Sequence, residues 1–241
     1  MKKTRVIVYM LLTFVLVACN SNLNFKNGVE GSGTIATEQR TINQYFDKIA
    51  ASSGVTVSIE QGTPSAIAIE TDDNILPYVI TQVENETLVI KIEGSVNTMS
   101  PINVTIRMNS ITGLESASGS KISTKNTLKG NTLNLKASSG GKINANFEYE
   151  NVACESSSGS SITVAGKALT LKTSSSSGSK INAEELAAND IYAQASSGSK
   201  IIVKPIVKLD AKASSGSSIK YNQEPKIISK VESSGGSIKK E

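Results

Sequence analysis

Four lysines stand one residue ahead of an isoleucine, each just after a glycine-bearing phrase: Lys121 in ASGSKI, Lys142 in SSGGKI, and Lys180 and Lys200 in SSGSKI. Ammonium groups restated at a fixed place attract anions, so the chemistry on offer is the binding of acidic sugars or phosphates. The competing reading is a solvated sheet edge whose charges deter strand pairing. Acid–base machinery is sparse by comparison. Histidine is absent, and beyond residue 18 the arginines are Arg40 and Arg107. The visible acids are the adjacent pairs Asp72-Asp73 and Glu184-Glu185. Glycoside cleavage needs two carboxylates flanking one bond, whereas neighbours on a strand point to opposite faces. A polysaccharide-cleaving enzyme therefore ranks last among the function classes. Asp72, Asp73 and Asn74 lack the spaced oxygen series of a calcium loop and read as a turn or cap. No catalytic residue, cofactor or metal site is expected.

One cysteine carries a different chemistry. The chain opens with Lys2, Lys3 and Arg5, continues through the apolar run VIVYMLLTFVLVA, and reaches Cys19. The run is too short to span a bilayer and has the form of a secretory signal over residues 1–18. Leu16-Val17-Ala18-Cys19 resembles a bacterial lipobox, which implies that the Cys19 sulfur is acylated and becomes the new N-terminus. Residues 20–36, NSNLNFKNGVEGSGTIA, have the composition of a flexible tether behind such an anchor. Cys154 is then the remaining cysteine, which excludes an intramolecular disulfide. It falls on an inward position of the repeat described below and reads as a small buried hydrophobe.

Charge excludes another class of partner. Without Lys2, Lys3 and Arg5 the chain keeps 22 basic residues against 21 acidic ones, too even a balance for a polyanion field of the nucleic-acid kind. There is no Trp and there are only four Phe to stack on bases, so nucleic acid is not an expected partner.

The elements that hold the lysines follow from the repeat itself. Glycines at 119, 140, 159, 178, 198, 216 and 235 are separated by steps of 21, 19, 19, 20, 18 and 19 residues, the near-fixed period of a solenoid. Three residues after each stands Ile122, Ile143, Ile162, Ile181, Ile201, Ile219 or Ile238. Seven and five residues before the glycine lie alternating pairs: Leu133 and Leu135, Val152 and Cys154, Ile191 and Ala193, Leu209 and Ala211. Alternation of period two is a strand with one face inward. The copy ending at Gly178 is read with Leu169 and Leu171 as its pair, the extra length over Ser174–Ser177 forming a bulge or an enlarged turn. A period near 20 residues suits one coil of a parallel β-helix, and about seven coils stacked at ~4.8 Å would give a rod on the order of 30 Å long. Glycine at each corner supplies a positive φ, and the serines around it bond local backbone or form a ladder between coils.

Residues 37–110 alternate as strands without that period: VTVSI (55–59), AIAIE (66–70), LVIKI (88–92) and INVTIRM (102–108). They are read as the irregular β start and cap of a domain over 37–241, whose repeats occupy 111–241. The charged residues Lys239, Lys240 and Glu241 on the terminal coil discourage end-to-end pairing.

The string FDKIAASSGVTVSIEQGTPSAIAIETDDNILPYVITQVENETLVIKI, followed by PINVTIRMNSITGLESASGSKI and the later SSGS repeats, resembles the head GIN domain family of autotransporter adhesins over about residues 40 to 230. The resemblance implies an all-β protein, a single-stranded right-handed parallel β-helix with a less regular start, on a secreted or lipid-anchored bacterial chain. It implies no catalytic residues, since none are assigned across the family. The function expected is a non-enzymatic, lipid-anchored envelope module that binds a glycan or an envelope protein, with a homo-oligomeric structural module as the alternative. Residues 20–26 lack the acidic cluster of surface-export signals, which leans toward the periplasmic face of the outer membrane while leaving the face undecided.

Overall fold

The computed structural model describes residues 28–63 and 65–241. The architecture is a parallel β-helix in which each coil lies in register on the next. Strands Lys142–Ser156, Ser161–Ser175, Lys180–Ala195 and Lys200–Ala213 are four successive coils, each ending in a Ser-Gly corner. Within a coil the inward alternation slips once: Ile143, Ala145, Phe147 and Tyr149 are buried, Glu150 and Asn151 are exposed, and Val152, Cys154 and Ser156 resume inward. The slip is the bend between two arms of the flattened coil.

The isoleucine column is continuous. Val104, Val57, Ile122, Ile143, Ile162, Ile181, Ile201, Ile219 and Ile238 are paired rung to rung, and none is more than 4 % exposed. β-branched side chains stacked at one strand spacing fill a narrow core well, because each column is packed by its own copies above and below. The pairs on the second arm behave alike: Leu133, Leu135, Val152, Cys154, Ile191, Ala193, Leu209 and Ala211 are all buried.

Among the described residues the seven expected corners are joined by an eighth ahead of the repeats. Ser53-Gly54 takes the same left-handed pair as Ser118-Gly119 and its six successors, and the Gly54 amide donates to the Ser118 carbonyl at 3.0 Å. At every corner both central residues have positive φ, for example Ser118 at 48° and Gly119 at 74°, and the Ser120 amide closes the turn on the Ala117 carbonyl at 3.0 Å. That is a type I′ turn, which bends the chain with the right hand for its flanking strands. The serine thus shares a strain that the sequence pattern assigned to glycine alone. A second serine follows inside: Ser120, Ser160, Ser179, Ser199 and Ser217 are at most 2 % exposed. Each hydroxyl donates to a carbonyl one coil back, as Ser160 Oγ does to Ala137 O at 2.7 Å, and accepts the first amide of its own turn, here from Ser157 at 3.0 Å.

The Gly178 copy corrects the expected bulge. Leu171 pairs with Val152 and Ile191, and Thr173 with Cys154 and Ala193, so Ser174–Ser177 carry no extra length, and Leu169 is 54 % exposed. The inward position five before the glycine is occupied by Thr173, whose hydroxyl hid it from an apolar pattern. The irregularity lies instead at Glu184–Leu186, where Ala183 and Ala187 pair with the consecutive residues Val203 and Lys204.

Residues 48–108 build the first coil and one end of the rod. Lys48–Ala51 and Thr56–Gln61 pair forward with Gly113–Ser116 and Lys121–Thr124, and backward with Thr87–Ile92 and Asn103–Met108. Antiparallel strands then close that end: Ala66–Asp72 and Ile35–Arg40 on one arm, Val79–Glu84 on the other. The Arg40 guanidinium ties the arms by donating to the carbonyls of Leu76, at 3.0 Å, and of Val79. The stretch expected as tether to residue 36 is paired from Val29–Glu30, which lie beside Val96–Asn97. Cys19 and the signal segment lie outside the described residues.

Candidate ligand-binding face

Every lysine of the proposed site stands one residue before the isoleucine column, so the inward pull on Ile122, Ile143, Ile181 and Ile201 turns Lys121, Lys142, Lys180 and Lys200 outward. The register then runs Lys121, Lys142, Ser161, Lys180, Lys200, Ser218, Ser237. Lys121 is thus the rung neighbour of Lys142 and Lys180 that of Lys200, with Ser161 between the two pairs. All four sit on strands paired on both sides, which removes the reading of an edge guarded against aggregation.

Two residues further along each strand a second column begins: Ser123, Asn144, Thr163, Asn182, Ile202, Lys220, Lys239, of which Ile202 is buried. It carries the cationic stripe on where the first column turns to serine. Sequence reasoning passed over Lys220 and Lys239 because they follow the isoleucine instead of preceding it, although IK recurs at 219–220 and 238–239. Among the described residues no carboxylate lies within 4.0 Å of Lys121, Lys142, Lys180 or Lys200. Glu241 closes the stripe at one end: its bond from Lys220, at 2.8 Å, and the fields of Lys220 and Lys200 hold its carboxyl below the usual range.

The other arm shows what charge pairing for stability looks like on this scaffold. Its outward column stacks Glu115, Lys136 and Glu155 in alternating sign, with Lys136 3.9 Å from Glu155. A like-charged pair directly opposed across strands is destabilising by roughly 0.2–1 kcal/mol. Lysine is thus set on lysine twice on one arm, while the signs alternate on the other. Asn144, Thr163 and Asn182 beside it offer neutral donors and acceptors, and a shallow depression of about 270 Å³ lies against Asn144, Asn146 and Thr163.

The acids are placed otherwise. Asp72 is 1 % exposed and accepts bonds from Thr98 Oγ1 at 2.6 Å and Ser100 Oγ at 2.7 Å, which with the Gly33 amide hold its carboxyl below the usual range despite burial. Asp73 takes the Ser32 hydroxyl at 2.5 Å, and Asn74 donates to the Glu30 carbonyl at 2.7 Å. The Asp72-Asp73-Asn74 turn therefore pins the incoming chain. Glu184 and Glu185 sit in the irregular part of the Lys180–Ala195 coil. Among the described residues no group of three or more His, Cys, Asp or Glu is placed to hold a metal ion, and no helix is long and apolar enough to cross a membrane. Cys154 is 1 % exposed, and burial pushes its thiol up to about 12.

No curated protein matches the chain. Among solved structures it is similar to a putative adhesin from Bacteroides fragilis NCTC 9343, with 22 % identity and a TM-score of 0.81 over 89 % of this chain and 100 % of that one. A putative lipid binding protein from Parabacteroides distasonis ATCC 8503 superposes with a TM-score of 0.74 at 20 % identity, covering 89 % of this chain and 100 % of that one. A putative adhesin from Parabacteroides merdae ATCC 43184 does so with 0.71 at 18 %, covering 89 % and 99 %. At these identities the likeness is one of fold. The model of the family described as "Putative auto-transporter adhesin, head GIN domain" matches residues 45–225, and the chain belongs to that family.

Proposed function

We propose that the protein is a non-enzymatic binding module of the bacterial envelope, tethered to the outer membrane by acylated Cys19, that holds acidic glycans along Lys121, Lys142, Lys180 and Lys200. The observation that carries the reading is the in-register stacking of unpaired lysines on interior strands, a cost that packing does not require. Family membership supports an adhesive role at the envelope. The ligand is a linear polyanion lying along the rod, because the charges repeat along that axis at the ~4.8 Å rung spacing.

The test is binding of a uronic-acid polysaccharide, with neutral dextran as control, to the parent protein and to a Lys121→Ser, Lys142→Ser, Lys180→Ser, Lys200→Ser variant. Serine already occupies this column at other rungs, so the variant keeps its fold. At least tenfold weaker binding and a flatter salt dependence are expected. Equal binding by both proteins, or binding indifferent to salt, overturns the lysine face. Location is read separately by protease shaving of intact cells against a periplasmic control. Digestion makes the ligand an external one, and protection makes it a component of the envelope itself.

A further inference from the structure

The lysine face is interrupted between its two pairs, and the interruption has matching walls. The tetrapeptide KINA occupies 142–145 and again 180–183, and SITV at 161–164 lies on the rung between them. Ile143, Ile162 and Ile181 point into the core, so the outward residues are Lys142 with Asn144, Ser161 with Thr163, and Lys180 with Asn182. Amines and carboxamides therefore stand on both sides of a rung that carries two short hydroxyls. The walls are two rungs, or ~10 Å, apart. The depression of about 270 Å³ adjoins this gap, lined by Asn144, Asn146, Thr163 and Ala165.

The groups around the gap have bonding capacity to spare. Among the described residues no hydrogen bond or ion pair engages the Asn144 carboxamide, Thr163 Oγ1 or the amines of Lys142 and Lys180. Asn182 Oδ1 accepts from the Glu184 amide at 3.2 Å, which orients that carboxamide and leaves its N–H donors to a ligand. Asn146 is held in place by donating to Thr127 Oγ1 at 3.3 Å, and Ala165, its rung neighbour, contributes a methyl to the floor. A carboxamide with donors and a carbonyl both open complements an acetamido group, whose own methyl then meets Ala165. Charge favours the same kind of occupant. A carboxylate over Lys142 or Lys180 is shared with a second ammonium on the next rung, Lys121 or Lys200, whereas one over Ser161 has no cation beneath it. A pyranose in an extended chain advances about as far as one ~4.8 Å rung. Acid, neutral, acid is therefore the order that meets Lys142, Ser161 and Lys180.

We propose that the Ser161 rung is a subsite for a neutral, acetamido-bearing sugar, and that the glycan along the lysine face alternates such sugars with acidic ones. Asn144 takes the acetamido group, Thr163 a ring hydroxyl, and Asn182 donates from the opposite wall. The proposal rests on the lysine face as a glycan site and narrows its ligand from any polyuronate to one with neutral spacers.

The test compares binding of hyaluronan and polygalacturonate fragments that carry equal numbers of carboxylates, at one salt concentration, to the full chain. Hyaluronan alternates a uronate with an N-acetylated sugar, and polygalacturonate bears an acid on every residue. The parent is expected to bind hyaluronan about fivefold more tightly, the worth of one net neutral hydrogen bond. The Asn144→Ser, Thr163→Ile variant should bring that ratio near one, and it keeps its fold because Ser123 and Ile202 already stand in this column. The variant with serine at all four lysines should lose both probes together. Polygalacturonate bound as tightly as hyaluronan by the parent, or an unchanged ratio in the double variant, overturns the subsite and leaves the lysine face standing. A parent that binds neither probe overturns the glycan reading, and the subsite with it.

Discussion

Two buried hydroxyls of one coil should respond to removal with opposite signs. Thr173 is 3 % exposed, and its Oγ1 has no hydrogen-bond partner among the described residues, while its column neighbours are Cys154 and Ala193. A buried hydroxyl without a partner costs about 1–3 kcal/mol, and valine keeps the shape while discarding it. Thr173→Val should therefore stabilise by about 1–2 kcal/mol, or roughly 2–8 °C in Tm for a chain of this size. Ser160 lies one corner earlier and is fully engaged: Oγ donates to Ala137 O at 2.7 Å, accepts from Ser157 N at 3.0 Å and lies 2.8 Å from Ser156 Oγ. Ser160→Ala should destabilise by about 0.5–1.5 kcal/mol, because the Ala137 carbonyl, the Ser157 amide and the Ser156 hydroxyl each lose one partner while the first two stay bonded to each other at 3.0 Å. The assay is urea unfolding, with the midpoint read at unchanged slope so that the native state alone is compared. A lowered midpoint for Thr173→Val, or an unmoved one for Ser160→Ala, would refute the argument that hydrogen-bond satisfaction and not polarity decides which serines and threonines this core tolerates.

Other perturbations separate corner strain from crowding. Gly159→Ala, at φ 70° with open space around it, should lower stability by about 1 kcal/mol. Gly166→Ala should cost several times more in the same unfolding assay, since the new Cβ would stand 2.0 Å from the Phe147 carbonyl oxygen at φ 116°. Asp72→Asn should destabilise at neutral pH and lose that effect in acid. A carboxyl held low in the folded state contributes stability above its unfolded pKa of about 3.9 that vanishes as pH falls through the folded value, so the midpoints of parent and variant should converge as the pH falls through that range. Cys154 should resist a thiol reagent at pH ~8 in the native protein and react on unfolding, as burial keeps it a thiol. Rapid native labelling at that residue would contradict its place in the core.

What was legible in the sequence is what repeats. The isoleucine column, the glycine corners and the inward pairs announce themselves by position, because one coil must satisfy the same geometry as the next. The eighth corner escaped because Val57 replaces isoleucine and Gly54 lies 65 residues before Gly119, across the strands that close the rod. Thr173 escaped because an inward threonine looks like an outward one until its neighbours are known. The lysine column was readable as a pattern, but its standing on interior strands, and the contrast with Glu115, Lys136 and Glu155 on the other arm, needed the register. The exposure of Ile228, below a column of buried neighbours, had no local signal, since burial there depends on the rungs on either side.

Stacking in register also sets the order of assembly. Paired residues on successive repeats are only 18 to 21 positions apart, as from Lys200 to Ser218 and from Lys121 to Lys142, so each coil closes a short loop onto a finished template. The first coil is different: joining Val57 to Ile122 spans 65 residues, and loop closure alone makes that step ~1 kcal/mol more costly than a later one. The intervening strands reduce this by folding among themselves first, through the local hairpin Val79–Glu84 with Thr87–Ile92. Growth is then a zipper that starts at the end emerging first during synthesis and advances one rung at a time, with Ser237–Lys240, laid on Ser218–Tyr221, the last described strand to join. A chain interrupted at any corner would leave a shorter rod, and the time to complete the fold should rise with the number of rungs while the first coil sets the initial delay.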